Sequence, residues 1–368
     1  METKWVLLSS ISGVVVIGLI MLIVISNSSS PNLSSENENI LEDCKTLQYN
    51  GNNKINIVFF SDSDISKDYV DYFLASSPYN LKKENFNFFY IDSYIPECEI
   101  YKGIAILCYS KDLVRKASSC PVDIIAVIKD SPPEIRSSSY MNVLSINIQH
   151  PKTVLLHEIG HSLANLADEY LPSQLPKKSK NCVEDCKDFK ELNEGCFSGC
   201  SESNRFRAIE EGVMRTLSSK SYGKFNELLI NEKIDESSSK GSEITSFAIN
   251  KVVNCSEEEY ALITGNYQNK NITIKDKTIE KGCLGNNGAG DFTYKINTET
   301  TTLKEKEFNP EFIFTDNLET GSAIEYQGEF SLKIPIVEDA KSLEILKEEQ
   351  IIAETSLSDI SSRPCKIE

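Results

Sequence analysis

Residues 155–171 read LLHEIGHSLANLADEYL, a run that holds the residue types of a metal-dependent hydrolase. On a helix, positions i and i+4 lie one above the other on the same face, so His157 and His161 can aim two imidazoles at one cation. Glu158, beside the first histidine, is a carboxylate in reach of a water at that cation. It would take the proton as water attacks a carbonyl and return it to the leaving amine. Catalytic zinc usually takes three protein ligands and keeps one position for water. The chain has only three histidines, and the third, His150, sits seven residues upstream across Pro151, where it reads as a strand cap. The third ligand is therefore sought among Asp168 and Glu169. A continuous helix would carry Asp168 about 10 Å beyond His161 at 1.5 Å per residue. The helix must end and turn back, and Asn165 is the place, because Asn tolerates the left-handed conformation that ends helices. Asp168 is the expected ligand. Glu169 is the alternative, since one residue of shift separates them and spacing does not choose. A chance His-Glu-x-x-His on a charged surface helix is the bland alternative. The apolar flanks VLL and LANL argue for a buried helix instead, in which two histidines and a glutamate without partners would be costly.

The run HEIGHSLANLADEY resembles the signature of the IgA-specific metallopeptidase family, zinc endopeptidases related to the metzincins. The matching residues are His157, Glu158, Gly160, His161, Asn165, Ala167, Asp168, Glu169 and Tyr170. The resemblance spans about residues 55–235 and implies a metzincin-like domain with one zinc per chain, His157, His161 and Asp168 as ligands and Glu158 as catalytic base. It also implies a methionine turn below the metal, for which EGVMRT offers Met214. It does not imply that immunoglobulin is the substrate, because function lives in the site rather than the fold. The usual metzincin pattern places Gly three residues after the second histidine and a third ligand three further on. Here those positions are Ala164 and Ala167, so the spacing is one residue longer and the ligand is not histidine. Tyr170, Arg207 and Arg215 are weaker candidates for stabilising an oxyanion or clamping a substrate carboxylate; packing or surface roles are the plainer reading of each.

Elements must hold these residues in place. Short apolar runs, INIVFF from Ile55, FNFFYI from Phe86, IAILC from Ile104 and DIIAVI from Asp123, alternate with helical segments from Ile65 and Tyr109. That order predicts an α/β sheet with helices packed on it. SPPEIRSSS from Ser131 reads as a loop. Val143 to Ile148 alternates like an edge strand, one that could pair with an extended substrate. Low-complexity ESSSKGSE from Glu236 marks a boundary. Beyond Ile244, short strands separated by Gly, Asn and Asp turns predict a C-terminal β-sandwich. The expected organisation is an anchor at 1–27, a stalk at 28–53, a zinc peptidase domain at 54–240 and a β-sandwich at 241–368.

Trp5 to Ser26 is an uncharged apolar run of bilayer length, preceded by Lys4 and followed by polar and acidic residues. It predicts a single-pass anchor with the N-terminus inside and the rest of the chain outside; a cleaved signal and secretion is the alternative. Eleven cysteines fit an oxidising compartment, with at least one left over. Cys182, Cys186, Cys196 and Cys200 form two C-x3-C pairs, read as disulfides beside the site rather than as a second zinc; 182–200 with 186–196 is one of three connectivities. Sequons at Asn27, Asn32, Asn254 and Asn271 add nothing decisive. A net charge of −17 speaks against nucleic acid, which needs a basic footprint. The expected activity is zinc-dependent hydrolysis of protein or peptide substrates, with the membrane as a further partner. The alternative is an inactive cell-surface binding or adhesion protein of the same fold.

Overall fold

The computed structural model describes residues 43–239, 255, 257–315 and 323–361. The chain runs β1 (Lys45–Gln48), β2 (Ile55–Phe60), α1 (Ser63–Ala75), β3 (Phe86–Ile91), β4 (Glu99–Tyr101), β5 (Ala105–Leu107), α2 (Lys111–Ala117), β6 (Ile124–Lys129), β7 (Ser138–Tyr140), β8 (Val143–Asn147) and α3 (Thr153–Ala164). It continues through α4 (Lys187–Glu191), β9 (Phe197–Cys200), β10 (Glu202–Arg207) and α5 (Lys224–Ser239). Nine strands follow: β11 (Glu259–Gln268), β12 (Asn271–Lys281), β13 (Phe292–Asn297), β14 (Thr302–Phe308), β15 (Phe312–Thr315), β16 (Ala323–Glu325), β17 (Gly328–Pro335), β18 (Ser342–Lys347) and β19 (Gln350–Ser356), then α6 (Ser358–Ser361).

The main sheet is mixed and has the order β1-β3-β2-β6-β8-β7-β15-β16. β3, β2, β6 and β8 are parallel neighbours, and β1, β7, β15 and β16 pair antiparallel. The parallel strands are apolar on both faces because both faces are covered, as parallel sheets require. Ile55, Ile57 and Phe59 pack with Phe73 of α1, Leu155 and Ile159 of α3 and Ile230 of α5. The intervening Val58 and Phe60 pack on the other side with Leu113 and Ala117 of α2. The period of two in a strand thus assigns alternate residues to two cores.

The C-terminal region is β-rich. A three-stranded sheet, β12-β11-β17, and a four-stranded sheet, β14-β13-β18-β19, share one core. In it Ile263, Phe330 and Leu332 of the first meet Phe292, Tyr294 and Ile345 of the second. β15 and β16 lie instead in the main sheet.

Two expectations are corrected. Val143–Asn147 is not an edge strand: β8 lies between β6 and β7, because Ser138–Tyr140, within and after the segment read as a loop, forms β7 and pairs with it. The single-pass membrane anchor, and the outside location built on it, is also corrected. Among the described residues no helix is long and apolar enough to cross a membrane; the longest, α5, has 16 residues and is largely polar. The run Trp5–Ser26, the stalk up to residue 42 and the low-complexity boundary from Lys240 lie outside the described residues.

Five disulfides join Cys44 to Cys120, Cys98 to Cys108, Cys182 to Cys200, Cys186 to Cys196 and Cys255 to Cys283. Cys365, the eleventh, lies outside the described residues. The insert has the nested pairing, one of the three connectivities its cysteines allow, and both bridges enclose α4.

Candidate metal centre

Helix α3 begins just after Pro151 and buries almost every side chain it carries. Its last regular residue is Ala164. Asn165 then adopts φ 50° and ψ 37°, the left-handed conformation, and the chain reverses there. The N–H of Asn165 donates to the His161 carbonyl at 3.0 Å and that of Leu166 to the Gly160 carbonyl at 3.1 Å. These bonds satisfy carbonyls that a helix end leaves open. The returning strand of chain brings Asp168 back under the histidines.

The same turn orients a ring. The Leu166 carbonyl accepts from His161 Nδ1 at 2.6 Å, and the Val213 carbonyl accepts from His157 Nδ1 at 2.9 Å. A carbonyl only accepts, so each Nδ1 carries the proton and each Nε2 of a neutral ring presents a lone pair. Those lone pairs converge. His157 Nε2 lies 3.2 Å from His161 Nε2. Asp168 Oδ1 lies 3.1 Å from His157 Nε2 and 3.5 Å from His161 Nε2. Three acceptors facing one another in a buried site demand positive charge between them. A four-coordinate ion with bonds of about 2.0–2.1 Å spaces its ligand atoms about 3.3–3.4 Å apart. The three observed separations straddle that value. His157, His161 and Asp168 can therefore hold a metal ion, and they fit it without rearrangement.

The electrostatics point the same way. Burial pulls the His157 imidazole down, but Asp168 outweighs it and raises the pKa to about 10. Asp168, despite a burial that favours its neutral form, is held well below the usual carboxylate range by His161 and His157. A proton on the histidine meets the same demand that a cation would.

The remaining sequence candidates fall around this cluster in different ways. Glu158 is fully buried on α3, and His157 feels its charge. Met214 is buried against the helix, its sulfur 2.7 Å from where a Cβ on Gly160 would stand, so the glycine makes room for it. The Met214 carbonyl accepts from the Glu169 N–H at 2.8 Å, which ties the segment below the helix to the returning chain. Glu169 does not join the ligand cluster. Its Oε1 accepts from Asn226 at 2.7 Å and Asn181 at 3.3 Å, and burial pushes it up to about 7 against the pull of those amides. Tyr170 donates to the Thr315 carbonyl at 2.6 Å. Arg207 is committed to the carbonyls of Ser198, Gly199 and Glu210. Arg215 reaches the Glu169 carbonyl at 3.3 Å. His150 hydrogen-bonds Ser137 and the Pro133 carbonyl and lies outside the cluster.

Sequence reasoning missed the supports of Asp168 and the cover of His161. Asn181 and Ser179 hold the Ala167 N–H, and Ser201 donates to the Asp168 carbonyl at 2.7 Å. These three residues flank Cys182 and Cys200, so the cysteine insert is the signal that marks them. Phe314 stacks on the His161 ring, centroids 4.5 Å apart and planes at 17°. Nothing local announces a residue that arrives from so far along the chain. No protein-family model matches the chain, and no curated protein matches it.

Proposed function

We propose that the protein is a zinc-dependent endopeptidase that hydrolyses peptide bonds in extended polypeptide segments. The observation that carries this reading is the convergence of two tautomer-fixed imidazole lone pairs and one carboxylate beside a buried glutamate. Two nitrogen donors speak for zinc over magnesium, which takes oxygen ligands and usually keeps several waters. The donor set, two imidazoles and one carboxylate, is one that zinc accepts. When bound, zinc would make water a competent nucleophile at neutral pH and polarise the scissile carbonyl. Glu158 takes the proton from the attacking water and delivers it to the leaving amine. Leu166 and Val213 keep the imidazoles in the ligating tautomer, and Met214 supports the helix below the site. Kinship with the IgA-specific metallopeptidases is part of the proposal; it rests on residues 157–170 and on the disposition of Met214.

A second reading, a binding or adhesion protein that uses the ion as a structural staple, is favoured by one observation: all three ligands are buried and Phe314 covers His161. Asp168→Ala tests the ion that both readings share, and Glu158→Gln separates them. Purified protein should carry about one zinc per chain, and Asp168→Ala should lose it. Glu158→Gln should keep the zinc and lose cleavage of unfolded protein by at least about 100-fold. Equal cleavage by Glu158→Gln and the natural chain would defeat the hydrolytic mechanism, and absence of zinc would defeat both readings.

A further inference from the structure

We propose that strand β15 is a built-in pseudosubstrate that keeps the site closed. This rests on the peptidase reading and adds its regulation. An extended polypeptide can be held by main-chain hydrogen bonds along the edge of a sheet, and the edge that would serve this site is the one beside α3. In this fold that edge belongs to β7. It lies against α3, with Ser139 Oγ 2.7 Å from Ser162 Oγ. The edge is not open. Residues 312–315, FIFT, already run along it antiparallel, with Phe314 opposite Ser139 and Thr315 opposite Ser138. The strand also reaches the chemistry. Phe314 stacks on the ligand His161, and the Thr315 carbonyl takes the hydroxyl hydrogen of Tyr170, two residues past Asp168.

The consequence is occlusion. His157 is 1% exposed, His161 4%, and Glu158 and Asp168 0%, and the part of this cover that β15 supplies is the Phe314 ring on His161. Among the described residues β15 pairs with β7 at two positions and with β16 at three. The occupant also describes the substrate it imitates: an extended segment that presents an aromatic side chain to the face of His161.

The test uses the full chain loaded with zinc and acetohydroxamate as a small metal-binding probe, with affinity read by calorimetry. Phe314→Ala should bind the probe at least about tenfold tighter than the natural chain, with zinc content and circular dichroism unchanged. Ser138→Cys combined with Thr315→Cys, which locks the strand and keeps the Phe314 ring on His161, should abolish probe binding until mild reduction restores it. The natural chain under the same reductant is the control. Equal probe affinity in the natural, Phe314→Ala and locked proteins would overturn the proposal. A casein-type unfolded substrate separates the two claims. Faster cleavage by Phe314→Ala supports both. Probe binding that follows the pattern with no cleavage by any variant overturns the pseudosubstrate role and the peptidase reading, and leaves only a covered metal site.

Discussion

At the scale of single residues, the centre depends on one backbone conformation. Two histidines four apart on a helix are easily had; the third ligand is the difficulty, because a helix that simply continued would carry Asp168 away. Asn165 solves it by standing at φ 50°. A β-branched side chain resists that region, at a cost of roughly 1–2 kcal/mol, while glycine enters it freely. Asn165→Val should therefore weaken zinc binding, by about tenfold for each 1.4 kcal/mol that the turn loses, and Asn165→Gly should bind zinc within a few-fold of the natural chain. Competition against a chromophoric chelator measures both. Equal weakening by Val and Gly would mean that the Asn side chain, not its backbone, holds the turn. The turn also fixes a tautomer: Leu166 owes the position of its carbonyl to Asn165, and His161 Nδ1 owes its proton to that carbonyl. This much was legible in the sequence, because helix periodicity and the tolerance of Asn for left-handed backbone are local properties.

At the scale of elements, legibility falls where polar residues are buried. Ser137, Ser138 and Ser139 read as loop, yet all three are buried and satisfied: Ser137 accepts from the Asn147 N–H, Ser138 donates to the Ile106 carbonyl, and Ser139 meets Ser162. A strand whose side chains answer hydrogen bonds rather than hydrophobic contacts carries no period-two signal, so β8 reads as an edge from sequence. Helix α3 packs by a similar exception. Alanine in a helix is usually better than glycine by about 1 kcal/mol, but a Cβ at Gly160 would stand 2.7 Å from the Met214 sulfur. Gly160→Ala should therefore destabilise, by about 1–3 kcal/mol for an overpacked core, and lower zinc affinity with it; a higher melting temperature would sink this account of Met214. Where α2 meets β17, Lys333 is buried with its ammonium on Ser118 Oγ and the Cys283 carbonyl, over the Tyr260 ring. Burial lowers its pKa to about 7; Asp123 opposes the shift and Lys306 adds to it. Between about 7 and the unfolded value of 10.5 the unfolded chain holds more protons, so this lysine's contribution to stability rises with pH. Lys333→Met should raise the melting temperature at pH 7, with a gain that shrinks toward pH 10. A gain independent of pH would mean that Lys333 is not neutralised on folding.

At the scale of the whole molecule, residues beyond 255 complete a second core, one that β5 and β7 share and that is distinct from the core on which α3 packs. Tyr140, the last residue of β7, and Met141 after it lie in the same cluster as Ile263, Phe292 and Phe330. Val114 of α2 packs on Tyr260 and Leu262. The Cys283 N–H donates to the Ser118 carbonyl at 2.7 Å, and Tyr109 exchanges hydrogen bonds with the backbone of Ser331. Arg115 pairs with Glu280 at 2.9 Å. None of these ties could be read along the chain, since each joins residues more than a hundred apart and no periodicity records them. Their removal uncovers Leu107, Val114, Tyr140 and Met141 together. At roughly 1.5–3 kcal/mol for each large apolar side chain, the loss is of the order of the whole 5–15 kcal/mol that holds a typical protein folded. A chain ended after Ser239 keeps every proposed ligand and the glutamate, yet it should melt without a cooperative transition, bind an apolar dye and take up zinc weakly. The measurement is calorimetry of that fragment beside the full chain. A sharp transition with tight zinc binding would instead make the metal-bearing part a self-sufficient unit, and would reduce the C-terminal strands to a cover that the site can shed entirely.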